Sequence, residues 1–120
     1  MRDIISVGEV LIDLTQTGTT DQGIPAFAAN PGGAPANVAV AAARLGAETA
    51  FFGKVGRDSF GAYLRRVLEE NGVDCSGLRT GSQPTTLAVV SVDSRGERDF
   101  QFIRGADCTL SPEEVDEEAL

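Results

Sequence analysis

Two glycines and an asparagine in the first third of the chain form the pattern with the clearest chemical meaning. Gly32 and Gly33 have no side chains, so their backbone can approach a bound molecule closely. Pro35 suits the first turn of a helix, where backbone N–H groups lack partners within the helix. Asn37 adds a donor and an acceptor beside them. The pattern indicates a site for phosphate or polar hydroxyls, and close helix packing explains it equally well.

The elements that position this motif follow from hydrophobic spacing and turn residues, and they predict an α/β chain. Before the motif we predict a buried parallel strand at 4–7, an extended segment at 10–14 with Asp13 among apolar residues, and a loop at 15–23. A short strand at 24–29 then returns to a turn at Asn30-Pro31.

After the motif, a helix over 36–45 should end at Gly46, with its inner face formed by Val38, Ala41, Ala42 and Leu45. A strand at 49–52 follows. Asp58 should cap a second helix that ends at Asn71-Gly72 and buries Phe60, Tyr63, Leu64, Val67 and Leu68. Residues 85–92 and 98–103 read as a β-hairpin around a charged turn with Gly96. A further helix should begin at Ser111 and has barely started at Leu120, so we expect more chain to follow.

Composition argues against several classes of protein. A net charge of -8 and the lack of a basic run argue against a nucleic-acid partner. No apolar run approaches the ~20 residues of a membrane span, and charges interrupt the N-terminus where a signal peptide would be apolar, so we expect a cytoplasmic protein. Without histidine, and with only Cys75 and Cys108, neither a metal site nor a disulfide framework is indicated. Both cysteines are expected to be half-buried.

Several separate motifs resemble those of the ribokinase/PfkB carbohydrate kinases, and bacterial fructokinases most of all. They are GEVLIDL, NPGGAPANVAVAAARLG, GKVGRDSFG and GERDFQFIR, and the similarity runs from Ile4 to about Glu118. Ribokinases usually carry lysine after the glycine pair, where this chain has Ala34. The resemblance implies a three-layer α/β/α core with a small β-sheet lid, of which residues 1–120 form the N-terminal portion. The lid would comprise segments at about 14–31 and 85–108, although an ordinary edge hairpin is the alternative.

The resemblance also implies a set of sugar-binding residues. Asp13 would accept hydrogen bonds from sugar hydroxyls, the backbone of Gly32 and Gly33 would lie against the sugar, and Asn37 would bridge two hydroxyls. Strand alternation puts Phe100, Phe102 and Arg104 on one face. The two phenylalanines could form an apolar wall, or they could simply fill the core of the lid. Arg104 could bind a hydroxyl or a negatively charged substituent. The segment from Arg104 to Asp107 is shorter than in typical fructokinases.

The implied activity is ATP- and Mg²⁺-dependent phosphorylation of a ketohexose hydroxyl. In the family, the catalytic base and the anion hole lie in a later Asp-Thr-x-Gly-Ala-Gly-Asp segment, which is absent from residues 1–120. We therefore expect no catalytic residue in this chain and no activity from it alone. A homodimer through the lid is also implied. The alternatives are a non-catalytic sugar-binding or dimerisation module, and a kinase of the same family for 2-keto-3-deoxygluconate, ribose or a nucleoside.

Overall fold

The computed structural model of the chain describes residues 2–115, which form seven strands, two α-helices and two short 3₁₀ helices. The predicted α/β class is confirmed. The elements in chain order are β1 (Ile4–Val7), β2 (Leu11–Thr19), β3 (Pro25–Gly32), α1 (Ala34–Arg44), β4 (Thr49–Gly56), α2 (Ser59–Glu70), β5 (Leu78–Gly81), β6 (Leu87–Val92), β7 (Arg98–Ile103), and 3₁₀ helices at Ala106–Thr109 and Pro112–Glu114.

A three-stranded parallel sheet, in the order β1-β4-β5, forms the core together with the two helices. The central strand β4 is buried along almost its whole length, which is typical of a parallel strand covered on both faces. Phe51 of β4 and Leu64 of α2 are fully buried in the same apolar cluster. The sequence predicted the buried stripe of α2 and a buried parallel strand at 4–7, and the register shows that this strand pairs in parallel with β4.

The remaining strands form a second, four-stranded sheet in the order β3-β2-β6-β7. The hairpin of β6 and β7 was predicted, and its turn contains Gly96 with φ +79°. Strand β2 pairs antiparallel with β3 and parallel with β6, so two segments that are distant in sequence meet in one sheet. Four apolar residues of this sheet pack against the core cluster or belong to it: Ile12, Leu14, Ala29 and Leu87.

The helix boundaries agree with the turn residues in the sequence. Asp58 caps α2, because its carboxylate accepts a 2.8 Å hydrogen bond from the backbone N–H of Gly61. Gly46 and Gly72 follow the two helices with φ of +96° and +83°, a conformation that favours glycine. No helix within residues 2–115 combines the length and the apolar character that a membrane crossing requires.

Two local predictions were wrong, and one strand was missed. The predicted loop at 15–23 is strand as far as Thr19, because pairing with β3 holds this polar stretch extended, while the pairing with β6 ends at Thr15. Asn30 and Pro31 are not a turn but part of β3, paired with Asp13 and Ile12. Strand β5 was not predicted, since four residues of mixed polarity carry little signal.

The predicted inner face of α1 was also wrong. Ala36 and Ala39 are buried, whereas Val38 is 52% and Leu45 89% exposed. The inner face consists of Ala36, Ala39, Val40 and Ala43, and its small alanines let the helix pack closely against β1 and β4. Cys108 is exposed rather than half-buried, and Cys75 is buried. Only a 3₁₀ helix with a capping box follows Ser111, and the predicted continuation toward Leu120 lies outside the described residues.

Candidate functional site

The glycine pair lies where the chain passes from the second sheet into α1. Gly33 has φ +101°, and a Cβ there would lie 2.6 Å from the carbonyl oxygen of Glu9. Gly32 is buried, and a Cβ there would collide with the carboxylate of Asp13. Close approach therefore requires glycine at both positions, to the side chain of Asp13 at Gly32 and to the backbone of Glu9 at Gly33. Asn37 lies one turn into α1 with an exposed side chain, and its N–H donates to the carbonyl of Gly33 at 2.9 Å.

Asp13 lies in a row of side chains that crosses the second sheet. In the strand registers Asn30 pairs with Asp13, Asp13 with Ala88, and Ala88 with Phe102. Directly paired residues project from the same face of a sheet. Asp13 and Phe102 therefore share one face, with only the small side chain of Ala88 between them.

Phe100 and Phe102 form an aromatic surface on this face. Their rings meet edge to face, with centroids 4.8 Å apart and an interplanar angle of 74°. The two residues are 55% and 50% exposed, so much of their apolar surface faces solvent. Residues 2–115 thus leave about half of each aromatic side chain uncovered, and the choice between an apolar wall and the core of a lid stays a prediction.

Arg104 lies beside this surface and between two carboxylates. Its guanidinium carbon lies 5.9 Å from the centroid of the Phe102 ring. One of its nitrogens, Nη2, lies 2.5 Å from Oδ2 of Asp107 and 3.8 Å from Oε2 of Glu9. Neither acid was predicted from the sequence as a member of the site. The sequence offered two signals for them: Asp107 follows Arg104 by three residues, and Glu9 lies in the GEVLIDL motif.

A continuous series of contacts thus connects six of the seven sugar-binding residues expected from the sequence. Asp13 touches Gly32, Gly33 lies against Glu9, and Glu9 pairs with Arg104, which lies over Phe102 beside Phe100. Asn37, the seventh, joins the series through its backbone hydrogen bond to Gly33. The site lies just beyond the carboxyl end of β1, and ligands of α/β proteins bind at this edge of the sheet.

The carboxylates of the site differ in their electrostatics. Burial raises the pKa of Asp13, and neither a hydrogen bond nor a cation among the described residues opposes it. Burial also acts to raise the pKa of Asp107, but hydrogen bonds from Thr86 and Arg104 and the charge of Arg104 outweigh it, so that this pKa is lowered. Among the described residues, Asp13 is therefore the site carboxylate without a hydrogen-bonding or ion-pair partner, whereas Asp107 is bonded to Thr86 and Arg104.

The second half of the glycine motif has a structural role. Asp58 accepts hydrogen bonds from the N–H and the hydroxyl of Thr85 at 2.9 and 2.7 Å, in addition to its cap on α2. Thr85 also accepts one from the N–H of Gly56 at 2.9 Å. These bonds fasten the residues that lead into β6 to the end of β4 and the start of α2. The motif GKVGRDSFG therefore holds the second sheet against the core.

A cavity of about 640 Å³ lies at the N-terminal part of α2. Arg57, Arg65 and Arg66 contribute to its lining. Arg65 already donates to the carbonyls of Cys75 and Leu78, so part of this basic surface serves the fold. The cavity contains none of the predicted sugar-binding residues.

Comparison with known proteins relates the chain to sugar kinases along its whole length. The family described as pfkB family carbohydrate kinase matches residues 1–120. The chain is 48% identical over 118 residues to probable fructokinase-4 of Arabidopsis thaliana, and the match covers 93% of this chain and 36% of that protein. Fructokinase-1 of Zea mays is 45% identical, with 98% of this chain and 38% of that protein covered. The chain thus spans about a third of the length of these relatives.

Solved structures agree with the sequence relatives. The crystal structure of fructokinase from Xylella fastidiosa superposes with a TM-score of 0.89 at 42% identity, and the match covers 97% of this chain and 37% of that one. The same enzyme with bound ATP gives a TM-score of 0.88 at 40% identity, covering 97% and 35%. The fold is therefore the N-terminal part of the ribokinase-like α/β fold, as predicted, and the chain belongs to the pfkB family of carbohydrate kinases.

Proposed function

We propose that residues 1–120 are the sugar-binding portion of an ATP-dependent sugar kinase that phosphorylates a ketohexose at a primary hydroxyl, as a fructokinase does. Family membership and the fructokinase relatives support the reaction class. The observation that carries the proposal is the contact series that joins Asp13 and the glycine pair to Phe102 and Arg104. It places acceptors, donors and an apolar surface together, which is what a sugar ring requires.

Within this proposal each group has a task. Asp13 accepts hydrogen bonds from sugar hydroxyls, and the backbone at Gly32 and Gly33 lies against the sugar. Asn37 bridges two hydroxyls. Phe100 and Phe102 cover the C–H face of the ring, and Arg104 donates to a further hydroxyl. Such contacts hold the acceptor hydroxyl in position for phosphoryl transfer, a reaction in which positioning and charge stabilisation provide most of the rate enhancement.

The second sheet is proposed to act as the lid over the sugar, with lid segments at about 14–31 and 85–108. Its pairing of β2 with β6 and the exposed phenylalanines on the Asp13 face support this. We also propose that the exposed apolar residues of this sheet pair two copies as a homodimer. Light scattering of the intact protein tests the dimer, and a monomer at all concentrations would contradict it.

ATP is proposed as the phosphoryl donor, supported by the ATP-bound fructokinase relative. The groups that hold ATP, the catalytic base and the anion hole are proposed to lie outside residues 1–120. Mg²⁺ is proposed to bind together with ATP, and no group of three or more acidic, cysteine or histidine side chains that could hold a metal ion is found among residues 2–115. We accordingly propose that the 120-residue chain alone is inactive. The intact protein is proposed to be cytoplasmic, which fractionation would test.

The test is steady-state kinetics of the intact protein with a panel of sugars. A ketohexose should be preferred over ribose, nucleosides and 2-keto-3-deoxygluconate, and a clear preference for one of these would overturn the substrate assignment. Absence of phosphorylation of every sugar would leave the non-catalytic binding module as the function.

Two variants test the site itself. Asn37→Ala and Asp13→Ala should each cost about 1–3 kcal/mol of sugar binding, because a sugar hydroxyl loses its partner. This corresponds to a rise in the sugar KM of roughly ten- to a hundredfold. The KM for ATP should stay nearly constant. A change mainly in the KM for ATP would show that the glycine pair and the start of α1 face the nucleotide's phosphates instead.

A further inference from the structure

The orientation of Arg104 is set by residues to which the sequence assigned no role. Its side chain is 48% exposed and could turn freely, yet Nη2 is bound to Oδ2 of Asp107 at 2.5 Å. The carboxylate of Asp107 is only 1% exposed. A long, half-exposed side chain is thus held by a buried carboxylate.

Asp107 is itself fixed from the other side. Its second oxygen, Oδ1, accepts a hydrogen bond from the hydroxyl of Thr86, and the N–H of Gly105 lies 3.4 Å from the same oxygen. The Gly105 N–H also donates to Thr86 at 2.9 Å. Thr86 is 1% exposed and Gly105 is buried, so the whole support lies in the interior. Oδ1 of Asp107 thus contacts buried groups of the protein interior, and Oδ2 binds Arg104.

The charges around Arg104 are unbalanced in a way that bears on the ligand. Glu9 lies 3.8 Å from the same guanidinium nitrogen, with 36% of its side chain exposed. Asp13 projects from the same sheet face as Phe102, over which Arg104 lies. Two carboxylates, those of Asp107 and Glu9, therefore lie beside a single guanidinium, and Asp13 adds a third carboxylate on the same sheet face. A carboxylate or phosphate substituent on a ligand would meet net negative charge here, whereas uncharged hydroxyls would still find donors and acceptors.

We propose that Asp107 is a positioning residue for Arg104, and that Asp107 and Glu9 together neutralise it, so that the site selects uncharged sugars over sugars that bear an anionic group. This rests on the proposed function and deepens it, since it names the residues that determine the substrate class. Arg104 then acts as an oriented hydrogen-bond donor to a hydroxyl. It does not act as a free counter-charge.

The experiment compares an uncharged ketohexose with a sugar acid in the intact protein and two variants. Asp107→Asn keeps the shape and one acceptor oxygen but removes the charge and loosens Arg104. We expect the KM for the ketohexose to rise and the KM for the sugar acid to fall, changing the ratio of the two kcat/KM values by about tenfold. The kcat for the ketohexose should change much less than its KM. Glu9→Gln should shift the ratio in the same direction but less, because its contact is longer and more exposed.

The chain offers a matched control in Asp74. This residue also pairs with an arginine, Arg2, and its carboxylate also accepts a backbone hydrogen bond, from Ser76 at 2.8 Å. It lies at the opposite end of the parallel sheet, beside the start of β4. Asp74→Asn removes an equivalent charge far from the site and should leave the ratio unchanged.

The outcomes separate this inference from the proposed function. Absence of sugar phosphorylation by the unmodified protein would overturn both. An active enzyme whose sugar ratio is unchanged in Asp107→Asn and Glu9→Gln would overturn this inference alone. A uniform loss of kcat on both sugars with unchanged KM would also overturn it, because it would indicate a purely structural role. If Asp107→Asn does not fold, the half-exposed Glu9→Gln decides the matter.

Discussion

Removing the carboxylate of Asp58 should destabilise the protein by about 3 kcal/mol. Loss of the cap on α2 costs about 1 kcal/mol. The buried N–H of Thr85 donates a 2.9 Å hydrogen bond to the carboxylate of Asp58. Leaving such a group without a partner costs about 1–3 kcal/mol. Asp58→Asn should cost less than Asp58→Ala, since an amide oxygen can still accept one of these bonds.

Urea unfolding followed by far-UV circular dichroism measures this cost. The midpoint should fall while the slope stays constant, because the surface exposed on unfolding is unchanged. Thr85→Val removes the bond from its hydroxyl to Asp58, so the double variant should cost less than the sum of the single variants by about 1 kcal/mol. Ser59→Ala, at an exposed neighbour in α2, serves as the control. A cost below about 0.5 kcal/mol for Asp58→Ala, or strict additivity with Thr85→Val, would refute the reasoning.

Two further predictions concern the glycine pair and acid stability. Gly33→Ala should raise the sugar KM and lower stability by more than Gly46→Ala. Both glycines have similar positive φ, but only at Gly33 would the added Cβ lie 2.6 Å from a carbonyl oxygen. Equal effects of the two substitutions would contradict this prediction. The lowered pKa values of Asp58 and Asp107 mean that their stabilisation is complete above the ordinary value of 3.8 and is lost as pH falls through the lower, folded-state values. The urea concentration at the unfolding midpoint should therefore decrease once the pH is below about 4. Asp58→Asn should make this decrease smaller, and an equal decrease in the variant would contradict the role given to Asp58. Asp13, with its raised pKa, contributes in the opposite direction, since its ionisation costs stability as pH rises.

The sequence was most informative where local chemistry decides the structure. Asp58, Gly46 and Gly72 set the helix ends through side-chain capping and positive φ, and these rules need no knowledge of the rest of the fold. It was least informative where partners distant in sequence decide. The strand from Thr15 to Thr19 is polar and is held extended by its pairing with β3, and nothing within those residues indicates that neighbour.

The candidate site shows the same division. Asp13, Asn37 and the phenylalanines stood out by residue type, and strand alternation alone predicted that Phe100 and Phe102 share a face, as their pairing with Val90 and Ala88 of β6 confirms. Glu9 and Asp107 did not stand out, because their meaning depends on a guanidinium that reaches them across space. Their role follows only from distances and burial.

Glycine spacing by itself cannot distinguish a ligand cradle from close packing, because both require a missing Cβ. A Cβ at Gly56 would lie 2.6 Å from the backbone N of Thr85, so there the protein itself occupies the space. At Gly32 the neighbour is the carboxylate of Asp13, a group that lacks a partner among the described residues and can accept one from a ligand. The group opposite each glycine thus distinguishes the proposed sugar-binding position at Gly32 from packing at Gly56. For this reason the decisive variants replace the side chains of Asp13 and Asn37, since a glycine variant changes packing as well as any contact with a ligand.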